Sequence, residues 1–399
     1  MRITIVSNYL FPETGAAANR ITQMAKALGQ QHDVTVLAPL PNYPTGSIFP
    51  EYKGKFFLKE KQDGFAARRY WTFNTISASA LKRGLSMFSF GFSMLFEIVH
   101  WLRKPPEMVI VQNSPLLVSS FAIFYLKLFT KAKIVLNVSD LWPLSALELG
   151  ALQKGTFYSF LERLELYNYR SSQMILGQSE EIIEHVKKKV SNKKYFLYRN
   201  IPVIPQKNVT REHDGGESPL KFVYAGLLGV AQGIFDICQN VDFNKLQVEF
   251  HIYGKGNELG QIENYIKNHT DTNIHYMGSF DALTIREKLR SYDFGIVPLR
   301  NRIYGAVPSK IFELTLLHLP MLFCGGGEGA EIVEEEGLGW TSKPGDFEGL
   351  RDNILKAREL SRVEYDQMVE KCRILAREKY DFNAQMEELT KVLEELRAN

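Results

Sequence analysis

The chain has 399 residues, more than a single hydrophobic core normally organises, so two domains are expected. A hydrophobic share of 45% and a charged share of 23% are typical of a globular protein and exclude collagen-like and low-complexity classes. The three cysteines are scattered, and the eight histidines show no metal-ligand spacing, so we predict a reducing compartment and no metal site. We identify no signal peptide and expect no stretch of about 18 uncharged apolar residues, the length that spans a membrane.

Charge is unevenly distributed along the chain. The net charge is +3, but residues 1–205 carry +11 and the remainder carries −8. A basic half indicates an anionic partner: a phosphate-bearing acceptor, an acidic membrane or a nucleic acid. Nucleic acid is disfavoured, because no basic strand is interleaved with aromatic residues on which bases could stack.

The first half begins with a strand, a loop that contains Gly15, a helix and a second strand. This order predicts a right-handed βαβ unit of a parallel sheet. Gly15 would let the backbone approach a ligand at the start of the helix. One glycine stands where the dinucleotide fingerprint needs three, so dinucleotide binding is not predicted.

Residues 77–104 form an unusually apolar predicted helix with cations near both ends. Its aromatic residues favour contact with a membrane surface, and the alternative is a core helix whose charged ends reach solvent. Residues 116–129 form a second apolar helix, which is too short to span. The cations that flank the first helix are Lys82, Arg83, Arg103 and Lys104.

Asp140 directly follows the apolar strand of residues 133–138. Functional groups in parallel sheets lie at the carboxyl ends of strands, so Asp140 is a candidate site residue. The alternative is that it caps the next helix.

The strand–loop–helix pattern restarts after a polar linker at 208–218, and each new strand ends in glycine or proline. We therefore predict an α/β fold of two doubly wound domains, residues 1–205 and 206–380. A last amphipathic helix occupies residues 381–399.

Residues 305–329 contain the most informative motif. Pro308 suits the first turn of a helix, Ser309 and Lys310 follow it, and Glu313 lies one turn further on. Free amides and a lysine at a helix N-terminus favour phosphate, and a carboxylate suits sugar hydroxyls. The alternative is an ordinary capped helix with a solvated glutamate.

The chain resembles the GT-B glycosyltransferases, and within them the retaining family 4 group, over essentially its whole length. Five stretches carry the resemblance: the Gly15 loop, residues 140–143, residues 224–233, residues 253–256 and residues 307–313. Residues 140–143 and 308–313 look most like bacterial N-acetyl-L-fucosaminyl transferases of O-antigen and capsule assembly.

The resemblance implies two Rossmann-like domains facing a cleft, with the last helix packing back on the first domain. It implies that Glu313 binds the donor ribose, while Ser309 and Lys310 bind the diphosphate. Gly15 would approach the diphosphate or the acceptor, and Asp140 would act on the acceptor. The remaining donor-binding residues would be Gly226, Gln232, Gly233, Tyr253 and Gly254.

Two departures accompany the resemblance: Gly305 stands at the family's usual first glutamate, and Ser139 stands at its usual histidine. The first removes a carboxylate beside the donor sugar, which suits a 6-deoxy or N-acetylated sugar; the alternative is that another group does the work of that glutamate.

The function implied is a retaining, metal-independent glycosyltransferase without a cofactor, active in O-antigen, capsule or lipopolysaccharide synthesis. It would move a sugar such as FucNAc from a UDP-sugar to a saccharide on undecaprenyl diphosphate. We expect a cytoplasmic enzyme, peripheral on the inner face of the membrane through residues 77–104 and 116–129. The alternatives are a GT-B epimerase or a non-catalytic scaffold that binds nucleotide-sugar.

Overall fold

A computed structural model of the chain describes residues 1–43, 45–75, 80–204 and 219–398. The chain divides into two compact units, Met1–Asn200 with Phe382–Asn399, and Ile201–Asp381. The predicted linker at 208–218 lies outside the described residues.

The first domain is built on an eight-stranded sheet of order β3-β4-β2-β1-β5-β6-β7-β8. All neighbouring strands are parallel except β3 and β4. The sequence did not predict β3, an edge strand whose residues alternate between exposed and half-buried. The strands are β1 (Arg2–Val6), β2 (Asp33–Pro39), β3 (Phe57–Lys61), β4 (Ala66–Tyr70), β5 (Met108–Gln112), β6 (Lys133–Val138), β7 (Met174–Gly177) and β8 (Lys194–Leu197).

Eight α-helices and one short 3-10 helix (Pro50–Tyr52) belong to the described part of the first domain. The last of them, α15, packs on α1 and buries an apolar stripe that includes Met386, Leu389 and Leu393. The α-helices are α1 (Ala16–Gly29), α2 (Ala80–Ser93), α3 (Leu95–Arg103), α4 (Leu116–Phe129), α5 (Leu144–Glu148), α6 (Thr156–Ser171), α7 (Glu180–Lys189) and α15 (Phe382–Ala398).

The helix predicted over residues 77–104 is divided in two. A turn at Met94 separates α2 from α3, and residues 77–79 of the prediction lie outside the described ranges. The apolar residues of this segment fall into a buried group and an exposed group. Phe90, Met94 and Trp101 are buried in the domain. Six others are exposed: Leu85, Phe88, Phe92, Phe96, Val99 and Leu102.

By length and composition, residues Gly84–Arg103 are long and apolar enough to cross a membrane, although the stretch includes the charged Glu97. One third of that stretch is buried inside the first domain. Buried core helices pass the same criterion, so this finding alone is weak evidence of a span.

The second domain has a six-stranded, fully parallel sheet of order β11-β10-β9-β12-β13-β14. The predicted fold class, α/β with two doubly wound domains, is therefore confirmed. Its strands are β9 (Lys221–Leu227), β10 (Glu249–Lys255), β11 (Ile274–Tyr276), β12 (Phe294–Pro298), β13 (Met321–Cys324) and β14 (Gly339–Ser342). Its helices are α8 (Ile234–Asn240), α9 (Leu259–Asn268), α10 (Ala282–Leu289), α11 (Ser309–Leu316), α12 (Glu328–Glu335), α13 (Phe347–Glu359) and α14 (Arg362–Glu378).

Aromatic residues hold the core of the second sheet together. Phe222 of β9 stacks on Phe294 of β12, with ring centroids 5.5 Å apart, and Phe243 stacks on Phe250 at 4.8 Å. The strand order reverses between β9 and β12, so their carboxyl ends open a crevice there. Ligands of doubly wound sheets bind at this switch point.

Candidate functional site

The site is built around the first turn of α11. Pro308 precedes the helix as an extended N-cap, rather than lying in its first turn as predicted, and Ser309 is the first helical residue. No side chain within the described ranges caps this turn, and no acidic residue lies in it. The amides at Ser309 and Lys310 therefore meet the positive end of the helix dipole, which suits an anion.

Three charged side chains meet beside this turn. The Lys310 ammonium lies 2.6 Å from one carboxylate oxygen of Glu313, and Arg286 Nε donates to the other oxygen at 3.0 Å. The side chain of Glu313 is 14% exposed, so the alternative of a solvated glutamate is wrong. Two cations and one carboxylate leave a net charge of +1, which favours an anionic ligand.

The same neighbours control the ionisation of Glu313. Burial opposes the charged form, but Lys310 and Arg286 outweigh it and lower the pKa of Glu313 below its ordinary value. The carboxylate is therefore ionised at neutral pH and available as a hydrogen-bond acceptor.

A pocket of about 270 Å³ opens next to Lys310. It brings together four residues that the sequence nominated: Gly226, Tyr253, Gly254 and Lys310. Leu227 and Lys255 also line it, and they belong to the predicted loops 226–233 and 253–256. The rest of the lining was not predicted and comes from Ala225, Ser279, Phe280 and Ile285. A mixed polar and apolar pocket of this kind suits a small ligand.

Gly226 and Gly254 are required by the close approach of two strands. A Cβ at Gly254 would lie 1.8 Å from the carbonyl oxygen of Gly226, and the φ of +142° at Gly254 is strained for other residues. A Cβ at Gly226 would lie 2.8 Å from the Tyr224 hydroxyl oxygen. The two glycines therefore let β9 and β10 approach each other closely where they line the pocket.

Gln232 and Gly233 do not line this pocket. They line a smaller one, whose other lining residues include Asp236 and Arg300. Gly233 is the left-handed N-cap of α8. Within the described residues, the buried Gln232 Oε1 has no hydrogen-bond partner. An unpaired acceptor of this kind suits a hydrogen-bond donor on a ligand. The residues predicted to bind the nucleotide-sugar are thus divided between two pockets.

In the first domain, Gly15 is the N-cap of α1 with φ +150°, and a Cβ there would lie 3.4 Å from the Tyr43 ring. The preceding loop is organised by the buried carboxylate of Glu13. It accepts backbone N–H groups from Asn42 and Tyr43 at 2.9 Å each. Burial raises the pKa of Glu13 despite these bonds. The loop at the first helix is thus held in place by a residue that the sequence did not single out.

Asp140 lies at the carboxyl end of β6 and is exposed. The alternative that it caps the next helix is wrong, because Pro143 is the N-cap of α5. Ser139 Oγ lies 3.4 Å from the Asp140 carboxylate and accepts a hydrogen bond from Gln112 at 2.7 Å. Asp140 is therefore supported by a polar network along the strand ends.

Arg20 is a site candidate that the sequence missed. It is buried on α1 and donates to Gln178 Oε1 at 3.3 Å, and burial lowers its pKa while Tyr198 and Asp140 raise it. Four side-chain atoms around these strand ends are buried without a partner within the described ranges: Arg20 Nε, Asn113 Nδ2, Asn137 Oδ1 and Gln178 Nε2. Unmet polar groups at strand ends are typical of a ligand site.

A family model and a curated relative both match this chain. Residues 220–359 match the family described as Glycosyl transferases group 1. The chain is 23% identical over 279 residues to the probable glycosyltransferase WbjE of Pseudomonas aeruginosa, covering 67% of this chain and 69% of WbjE.

Two solved structures share the fold over nearly their whole lengths. HepE of Anabaena, in complex with UDP, has a TM-score of 0.72 at 12% identity and covers 99% of this chain and 100% of HepE. WaaG, a glycosyltransferase involved in lipopolysaccharide biosynthesis, has a TM-score of 0.64 at 13% identity and covers 98% of this chain and 99% of WaaG. Residues 220–359 are therefore similar to the group 1 glycosyltransferases, within a chain that has the GT-B fold.

Proposed function

We propose that the protein is a retaining glycosyltransferase that moves a sugar from a UDP-sugar donor to a lipid-linked saccharide. The observation that carries the proposal is the cationic first turn of α11, where Lys310 lines the pocket and contacts Glu313 at 2.6 Å. UDP in the crystal structure of HepE supports a uridine nucleotide as the leaving group.

The chemistry requires stabilisation of negative charge on the diphosphate as the sugar C1–O bond breaks. The α11 amides and Lys310 would supply it, while Glu313 accepts the ribose hydroxyls. Arg286 keeps one Glu313 oxygen in place at 3.0 Å. With these groups in place, no metal ion is assigned to the transfer step. The acceptor hydroxyl would attack the same face of the sugar that the diphosphate leaves, which retains the configuration.

The acceptor would bind to the first domain. Asp140 would orient the acceptor hydroxyl or remove its proton. The buried Arg20, which lies close enough to interact electrostatically with Asp140, would attract a phosphate-bearing acceptor. The charge of +11 on residues 1–205 supports an anionic acceptor.

Contact with a membrane surface is supported by an exposed apolar face on α2, α3, α4 and α6. Phe92 and Phe96 are 65% and 67% exposed, and Lys82 lies on the same segment. A groove of about 950 Å³ runs beside them, lined mainly by apolar side chains that include Phe88, Phe121 and Phe124. Aromatic residues near cations are typical of interfacial binding, so we propose a peripheral enzyme on the cytoplasmic membrane face.

Surface polysaccharide synthesis is the proposed process, in O-antigen, capsule or lipopolysaccharide assembly. It is supported by the resemblance to N-acetyl-L-fucosaminyl transferases and by the similarity to WaaG. Gly305 stands where the family usually has a glutamate, and the missing carboxylate supports an N-acetylated 6-deoxy donor sugar such as FucNAc.

The test is a thermal-shift panel of UDP-, GDP- and dTDP-sugars on the full-length protein. A ligand at 100 times its Kd stabilises the native state by about 2.7 kcal/mol. We expect a shift with UDP-sugars only. UDP release that depends on added acceptor would distinguish a transferase from an epimerase, and a shift without any turnover would indicate a scaffold.

A further inference from the structure

Three potential metal ligands lie together on one face of the second sheet. Glu249 and His251 are two residues apart on β10, so their side chains project on the same side. The residues between and beyond them, Phe250 and Ile252, point into the core. His275 of the edge strand β11 is the direct register partner of His251. The topology therefore brings a carboxylate and two imidazoles to one surface.

The distances among these groups suit a small ion. One ligand atom from each of the three residues lies within 4.8 Å of the other two. Zinc–ligand bonds of about 2.0–2.2 Å put tetrahedral ligands about 3.4 Å apart. Glu249 Oε2 and His251 Nε2 are already 3.0 Å apart. His275 is exposed on an edge strand, so its ring can turn to close the remaining distance.

A second layer of hydrogen bonds fixes the central ligand. His251 Nδ1 lies 2.9 Å from the Tyr292 hydroxyl oxygen, which lies 2.8 Å from the hydroxyl oxygen of Tyr253. With its proton on Nδ1, His251 donates to Tyr292 and leaves Nε2 free for a metal, and Tyr292 in turn donates to Tyr253. Metal-ligating histidines commonly have such an outer partner, which orients the ring and selects the tautomer.

We propose that Glu249, His251 and His275 bind a divalent transition metal, with Zn²⁺ the best match. Two imidazoles and one carboxylate with a fourth position open to water are a common zinc set. Because Tyr253 also lines the pocket beside Lys310, three hydrogen-bonded side chains join the metal site to that pocket. The ion has a structural role there, since it fixes the Tyr292–Tyr253 pair, and it takes no part in the transfer step.

The residues around the site allow metal binding to be assigned to these three ligands. Cys238, Cys324 and Cys372 are all buried, so thiols do not compete for the added ion. Lys221 lies near enough to His251 to act on it electrostatically, and the Glu249 carboxylate offsets that charge. Metal binding is measured without donor or acceptor, so its result does not depend on whether the proposed glycosyl transfer takes place.

The experiment titrates chelator-treated, full-length protein with Zn²⁺ alone and, in parallel, with Co²⁺, whose visible absorption reports coordination geometry. We expect one metal per chain and a tetrahedral Co²⁺ spectrum. His275→Ala, at an exposed position, should weaken binding by more than about tenfold and abolish the spectrum. His269→Ala removes another exposed histidine of the same domain and should leave binding unchanged.

Tyr292→Phe tests the outer hydrogen bond. It should weaken Zn²⁺ binding by roughly tenfold while the one-to-one stoichiometry is kept. The proposal is overturned if the wild type binds no metal, or if His275→Ala binds Zn²⁺ as tightly as the wild type and the His269→Ala control. Circular dichroism of each variant establishes that the fold is intact.

Discussion

The Lys310 ammonium and the Glu313 carboxylate, three residues apart on α11, are joined at 2.6 Å. This spacing puts both on one helix face, and Arg286 of α10 holds the second carboxylate oxygen at 3.0 Å. Both Arg286 and Glu313 are largely buried, with side chains 17% and 14% exposed. The pairing fixes the lysine at the mouth of the pocket instead of leaving it free in solvent.

Glu313→Gln keeps the shape of the side chain and removes its charge. We expect the donor KM to rise by at least about tenfold, because a charge-assisted hydrogen bond to a ribose hydroxyl contributes roughly 1.5–3 kcal/mol. Steady-state kinetics with varied UDP-sugar measure the effect. Glu370→Gln, in an exposed ion pair with Arg373, is the matched control and should match the wild type. An unchanged KM in Glu313→Gln would remove Glu313 from the donor site.

The pH dependence of stability should also identify Glu313. Burial disfavours its charged form, but Lys310 and Arg286 lower the folded-state pKa of Glu313 below the ordinary 4.5. A lowered carboxyl pKa stabilises the fold above about pH 4.5, and this stabilisation is lost as pH falls through the folded-state value. The Tm difference between wild type and Glu313→Gln should therefore narrow below about pH 4.5. A difference that is constant from pH 7 to pH 3 contradicts the charge pairing.

Gly254→Ala should damage the pocket floor. The added Cβ would lie 1.8 Å from the Gly226 carbonyl oxygen at a φ of +142°, so β9 and β10 must separate. We expect a loss of stability of about 1–3 kcal/mol and weaker nucleotide binding. Gly260→Ala, in α9 with no atom within 4 Å of the new Cβ, is the control and should stabilise slightly. Equal Tm values for the two variants would show that the close approach has no energetic role.

The fold was largely predictable because its signals are local. Strands of the second domain that end in glycine or proline indicated successive strand–loop–helix units. The i,i+3 spacing of Lys310 and Glu313 was visible in the same way, and the two residues contact one another. Their proposed roles toward a donor stay predictions.

Long-range contacts were not predictable from one sequence. Nothing in the residues of α10 indicates that Arg286 reaches Glu313, 27 positions later. His251 and His275 become neighbours only through the pairing of β10 with β11. Phe90 and Phe92 lie on opposite sides of α2, and the packing of that helix on the domain determines which side is buried. Tertiary packing decides these cases.

Membrane binding should depend on the exposed face of α2 and α3. Phe92→Ser with Phe96→Ser removes two rings that are 65% and 67% exposed, so stability should change by less than about 0.5 kcal/mol. Loss of roughly 1.5 kcal/mol per ring should lower the partition onto anionic vesicles by more than tenfold. Co-sedimentation measures this. Val363→Ser, which is 65% exposed on α14, is the control, and equal sedimentation of both proteins would rule out this surface.

Asp140→Asn separates acceptor chemistry from donor binding. Asp140 is exposed and its contact from Ser139 Oγ is long, at 3.4 Å, so the variant should fold normally. If Asp140 orients or deprotonates the acceptor, kcat should fall by about 10²-fold or more, the range of general acid–base catalysis. The thermal shift with UDP-sugar should be unchanged, because Lys310 and Glu313 belong to the other domain. Asp63→Asn, at a side chain that is 88% exposed in the same domain, should keep full activity. A kcat close to wild type in Asp140→Asn would leave acceptor activation to the departing diphosphate alone.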